Sequence, residues 1–146
     1  MRKSMSKQNS ILIISVASAL TITLFSAIAA EKKVDVSKLP PPSEKKGVTY
    51  AKDIKPIFEK SCFKCHGPDK QKSKLRLDSL EAVLKGGENG PDIIPGKSAE
   101  STLVHNVAQI GDEDEFMPPP DNKDKIKPLD KEQIGLIRAW IDQGAK

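Results

Sequence analysis

The reading of this chain turns on Cys62-Phe63-Lys64-Cys65-His66. Two cysteines three positions apart, with a histidine directly after the second, admit four chemistries. A disulfide between Cys62 and Cys65 closes too short a loop to stabilise much, and it leaves His66 without a role. A zinc site needs a second pair of ligands, and the chain has no other Cys. A redox-active thiol pair belongs in a βαβ setting, and no stretch here alternates convincingly at the period of a strand. The fourth chemistry is covalent attachment of haem, in which two thiols add across the vinyl groups and the next side chain offers a neutral imidazole to the iron. Two intervening residues let one turn of chain set both sulfurs along one edge of the ring while His66 reaches beneath it. We therefore expect one covalently bound haem c, attached at Cys62 and Cys65, with His66 as an axial ligand.

Working outward, a second axial ligand has two candidates. Methionine is the usual partner of histidine in electron-transfer haem proteins and raises the reduction potential. Beyond residue 29 the chain has one methionine, Met117, in Glu115-Phe116-Met117-Pro118-Pro119-Pro120. Prolines stiffen such a loop, which suits a thioether that must point inward; a methionine can equally fill core. His105 is the rival, as the only other histidine. Leu103, Val104, Val107 and Ile110 share one helical face, and at 100° per residue His105 falls almost opposite, toward solvent.

The elements around the motif read as helices. The first runs from about Ile54 into Cys62, with Asp53 as cap and Pro56 in the first turn. A second spans Ser79 to Lys85, capped by Asp78 and stopped by Gly86-Gly87. A third spans Ala99 to about Gln109 behind Ser98. The last is the clearest: Asp130 caps it, Gln133 completes a capping box, and Ile134, Ile137, Trp140 and Ile141 form the apolar stripe. The fold class is therefore all-α, with long irregular connections.

The N-terminal third reads differently. Arg2, Lys3 and Lys7 precede an apolar run from Ile11 to Ala30 containing Ala27-Ile28-Ala29, the order of a signal peptide cleaved after Ala29. The alternative is a retained membrane anchor, since the run approaches the ~20 residues that span a bilayer. The expected location is periplasmic or otherwise exported, and membrane-anchored if the segment is retained. Residues 30–47 hold Lys, Glu, Ser and Pro with little apolar content, which reads as a solvated tether. The domain is then expected over residues 48–146. The net charge of +4, less the three positive charges of residues 1–29, leaves +1, so nothing suggests a nucleic-acid-binding stripe. A domain of this size with few aromatic residues needs a staple, and a large cofactor would be one.

The runs CFKCHGPDKQKSKLRLDSLEAVLKGG and IPGKSAESTLV, the Met-Pro-Pro loop and the closing DKEQIGLIRAWIDQGA resemble the planctomycete-type cytochrome c domain over residues 48–146. The resemblance implies a small monohaem fold with histidine and methionine on the iron, hence His66 and Met117. The broader cytochrome c superfamily packs its first and last helices together beside the haem, and Phe58, Ile137 and Trp140 resemble the crossing residues. Ile54 departs from the glycine that many small cytochromes place there, which predicts a wider crossing.

Three further polar features carry expectations. Arg76, in Leu75-Arg76-Leu77-Asp78, suits bidentate recognition of a haem propionate, or is a surface residue with a buried stem. Pro91 resembles the residue whose carbonyl receives the proximal imidazole N–H. The run Asp112-Glu113-Asp114-Glu115 either steers a basic partner or is simply solvated. Together these observations point to a non-enzymatic one-electron carrier between redox partner proteins. The rival classes are a haem-based sensor or small peroxidase with a displaceable sixth ligand, and a tethered interaction module.

Overall fold

The computed structural model describes residues 34–146, which form helices and turns without a named strand. The expected signal segment, 1–29, and residues 30–33 lie outside the described residues. No helix among the described residues is long and apolar enough to cross a membrane.

The first helix begins a turn earlier than its sequence suggests. The chain enters through a π-helical turn, Tyr50–Ile54, capped by Thr49, whose side chain accepts from Lys52 N. Asp53 is not the cap; it folds back to accept from Thr49 N at 2.8 Å. Pro56 then sits at the start of α1, Lys55–Ser61, where its missing N–H costs nothing. Ile54 and Phe58 have no exposed surface and Ile57 is buried. At Cys62 the backbone leaves helical geometry, and a single turn, α2, follows over Phe63–His66.

Helix α3, Leu80–Lys85, is capped by Ser79, which accepts from Ala82 N. The expected cap, Asp78, is engaged elsewhere, by Arg76. Helix α4, Thr102–Val107, is shorter than its apolar periodicity suggests. A 3-10 turn over Ser98–Glu100 replaces its first turn, because Ser98 is drawn to Asp142: its N and Oγ donate to that carboxylate at 2.8 and 2.9 Å. Helix α5, Lys131–Asp142, forms as read, with both halves of the Asp130–Gln133 capping box present.

Helix α5 organises the core. Ile137, Trp140 and Ile141 are fully enclosed, and the helix lies against the π-helical turn, the 98–100 turn and α4. The Tyr50 ring stands 6.0 Å from that of Trp140 and 6.5 Å from that of Phe58, distances at which tilted aromatic pairs attract. The chain's end is stitched in beside them: Tyr50 N and Trp140 Nε1 both donate to Lys146 O at 2.9 Å.

Residues 34–47 are not a solvated tether. They pack on the same compact unit as the rest of the described chain, and Leu39 is only 9 % exposed. Ser43 N donates to Gly135 O at 2.9 Å, Gln143 Nε2 donates to Lys45 O at 2.8 Å, and Arg138 donates to Pro40 O. Composition hid this strap because its bonds are made by the backbone. An extended proline run leaves its carbonyls free; Arg138 and Gln143 supply donors to two strap carbonyls, and Ser43 N donates back to Gly135 O. Its closest approach is at Gly135, where a Cβ would lie 2.8 Å from Pro41 O. Gly135→Ala should therefore lift the strap and cost about 1–3 kcal/mol, read by chemical denaturation, with limited proteolysis newly cutting within residues 38–46.

Candidate cofactor site

The local chain around the motif is built to hold one imidazole. In α2, Cys65 N and His66 N both donate to Cys62 O, at 3.0 and 2.8 Å, which winds the two cysteines and the histidine onto a single turn. Gly67 ends it, and no other residue fits without movement: a Cβ there would sit 2.4 Å from Phe63 O. Beyond the turn, Leu77 N donates to His66 O at 2.8 Å. The Tyr50 hydroxyl in turn donates to Leu77 O at 2.8 Å. Burial, with the Asp78 charge behind it, pushes that phenol up to about 12, so it remains a donor across the neutral range.

His66 is 6 % exposed, and its Nδ1 is buried with no hydrogen-bond partner. Burial lowers its pKa, opposed by the Leu75 and Lys72 backbone, so the ring stays neutral, the form that binds a metal. Pro91 does not supply the expected carbonyl to Nδ1. Burial also pushes the Cys62 thiol up to about 12, with Cys65 adding to the shift. A thiol so raised is a poor redox centre, which disfavours thiol-exchange chemistry for the pair. The two cysteines are not bonded to each other.

These side chains open onto a cavity with about 770 Å³ of empty volume, counted out to its open mouth. Cys62, Cys65, His66 and Met117 all line it, against apolar surface from Phe58 of α1 and Leu103 and Val107 of α4. His105 is not on this wall: its Nε2 meets Ala99 O at 2.8 Å. The helical face derived from the sequence thus separates the two candidate ligands. Arg76 is a correction. It does not line the cavity; its Nε and terminal nitrogen fork onto Asp78 at 2.9 and 2.7 Å. The carboxylate two residues on thus engages one fork of the guanidinium.

Met117 is positioned from two sides. Its N donates to Asn106 O at 3.0 Å, which ties the loop to α4. Asn122 closes the turn behind it: its amide donates to Pro119 O and Ile126 O at 2.8 and 3.0 Å and accepts from Ile126 N at 2.7 Å. Asn106, Asn122 and Asp92 also line the cavity and were not singled out from the sequence. Asn106 was detectable, being a polar residue on the Leu103–Val107 face; the other two sit in irregular loops without periodicity. The acidic run is partly accounted for. Asp112 caps the 3-10 turn Glu113–Glu115, while Asp114 and Glu115 join Glu88 around a second, more polar pocket that shares His66 and Met117 with the first.

The donor set fits a covalently held haem: two cysteines and a buried neutral histidine on one side of an apolar cavity, and a thioether on a pinned loop reaching the same cavity. A small, mostly helical domain of this kind, with the attachment motif on its cavity wall, defines a cytochrome c domain. The family model described as planctomycete cytochrome C matches residues 62–121, and that stretch is a domain of the planctomycete cytochrome C family. The match runs from the first cysteine past the Met-Pro loop, whereas α1 and α5, to which the resemblance extended, lie outside it. No curated protein and no solved structure matches the chain.

Because Asn122 makes three hydrogen bonds, Asn122→Ala should cost about 2–3 kcal/mol at roughly 1 kcal/mol per bond. Hydrogen exchange should show the Ile126 amide losing protection while amides of α5 keep theirs.

Proposed function

We propose that this chain is a monohaem c-type cytochrome carrying one electron at a time between redox partner proteins, with haem bound at Cys62 and Cys65 and His66 and Met117 on the iron. The observation that carries the reading is that Cys62, Cys65, His66 and Met117 line one cavity, although Met117 lies far along the chain from the motif. The family match, which spans both the motif and the loop, supports it further.

Haem, when bound, supplies a one-electron iron couple whose potential is set by axial ligands and burial. The chain's own residues do the rest. Cys62 and Cys65 hold the group by two thioether links. His66 presents a neutral ring nitrogen, and the bonds from Leu77 and Tyr50 keep its backbone from shifting. Met117 presents a soft sulfur on a loop fixed by Asn106 and Asn122. Phe58, Leu103 and Val107 exclude water from the wall, which stabilises the less charged state of any bound redox group. Export follows from the basic and apolar order of residues 1–29, and the partners are other exported redox proteins.

Co-expression with haem-maturation machinery should give protein whose haem survives acid-acetone extraction, and replacing Cys62 or Cys65 with Ser should weaken that retention. Purified wild-type protein with free thiols and no haem absorbance would sink the assignment. Met117→Ala should abolish the weak long-wavelength sulfur-to-iron band and admit carbon monoxide. It should also lower the potential by on the order of 0.1 V, within the roughly 0.8 V span that axial ligands command. His105→Ala should change none of these. Ready carbon monoxide binding by the wild-type protein would instead favour a sensor or small peroxidase.

A further inference from the structure

The site described above leaves Asp92 unused. It lines both the main cavity and the polar pocket beside it, as do His66, Asn106 and Met117. The residue is half-buried, and burial raises its pKa. Its Oδ2 accepts from Gly87 N at 3.0 Å, and it takes part in none of the ion pairs among the described residues. Asp92 and His66 lie within electrostatic reach of each other.

Carboxylates withdrawn from water are ordinarily paired with a cation or a metal. Here the carboxylate faces cofactor space, beside an imidazole whose Nδ1 has no partner. Holding the 87–92 loop does not explain the charge. Gly87 N needs only an acceptor, and an amide oxygen would serve with less desolvation cost. What the charge adds is a field inside a poorly screened cavity, where it reaches further than it would in water.

We propose that Asp92 is the counter-charge on the His66 side of the cofactor, favouring the oxidised iron, which carries one more positive charge, and so holding the reduction potential below that of the same ligands without it. This rests on the haem reading above. Asp92 would act through the field at the iron and His66 without touching an electron-transfer partner, which makes it a residue that sets the potential and no part of the attachment.

The test is potentiometric titration of the holoprotein at one pH above neutrality, for wild type, Asp92→Asn, Asp92→Ser, Asp92→Glu and the exposed control Glu100→Gln. A pyridine haemochrome spectrum comes first. Its absence in the wild type would refute covalent haem itself, a failure distinct from that of the counter-charge. The neutral variants should shift the oxidised-to-reduced ratio at a given potential about tenfold toward reduced, a rise of about 59 mV for one electron. Asp92→Glu should move the midpoint less than half as far, and Glu100→Gln should leave it in place. Unchanged potentials in neutral variants with a normal haemochrome would overturn the proposal, as would an equal shift in Glu100→Gln. Failure of both neutral variants to take up haem would assign the carboxylate to holding the loop, and would overturn it too.

Discussion

Burying one imidazole on a single helical turn constrains nearly everything around it. A histidine removed from water must find a hydrogen-bond partner or a ligand, because an unpaired buried polar group is costly, and His66 Nδ1 has no partner among the described residues. The turn that carries it is too short to be stable alone, so its geometry is imposed from outside. Gly67 lets the chain leave without a clash, Leu77 N anchors the His66 carbonyl, and Tyr50 anchors Leu77 in turn. Tyr50 is held by its packing on Trp140 and Phe58. A path of packed and bonded groups therefore leads from His66 to the last turn of α5, which is why the helix nearest the end of the chain bears on the geometry at its centre.

The features legible in the sequence were those with local grammar. The CxxCH spacing, the capping box of α5 and its apolar stripe each depend on residues within one or two turns, so their physics is visible in a short window. Helical angle pointed His105 toward solvent, whereas the structure has it half-buried with Nε2 on Ala99 O. The misreadings share the opposite property. Ser98 and Asp78 looked like helix caps, but Asp142 and Arg76 claimed them. The strap at 34–47 looked solvated because its stabilising bonds are made by its backbone groups, which composition cannot report. Asn122 and Asp92 occupy irregular loops, where no periodicity marks an inward-facing side chain.

A division of labour follows from where the family match falls. Residues 62–121 supply the motif, the helix face and the methionine loop, yet they contribute little of the largest enclosed apolar bulk. Trp140, Phe58, Ile54, Ile137 and Ile141 all lie outside that stretch, with Ile93 the largest fully enclosed residue within it. The matched segment is thus mainly cavity wall, clamped between a generic apolar scaffold and whatever fills the cavity. An unfilled void forfeits packing on every lining side chain. The cofactor then belongs to the core as much as to the chemistry, and ligand binding of that kind stabilises the folded state through linkage.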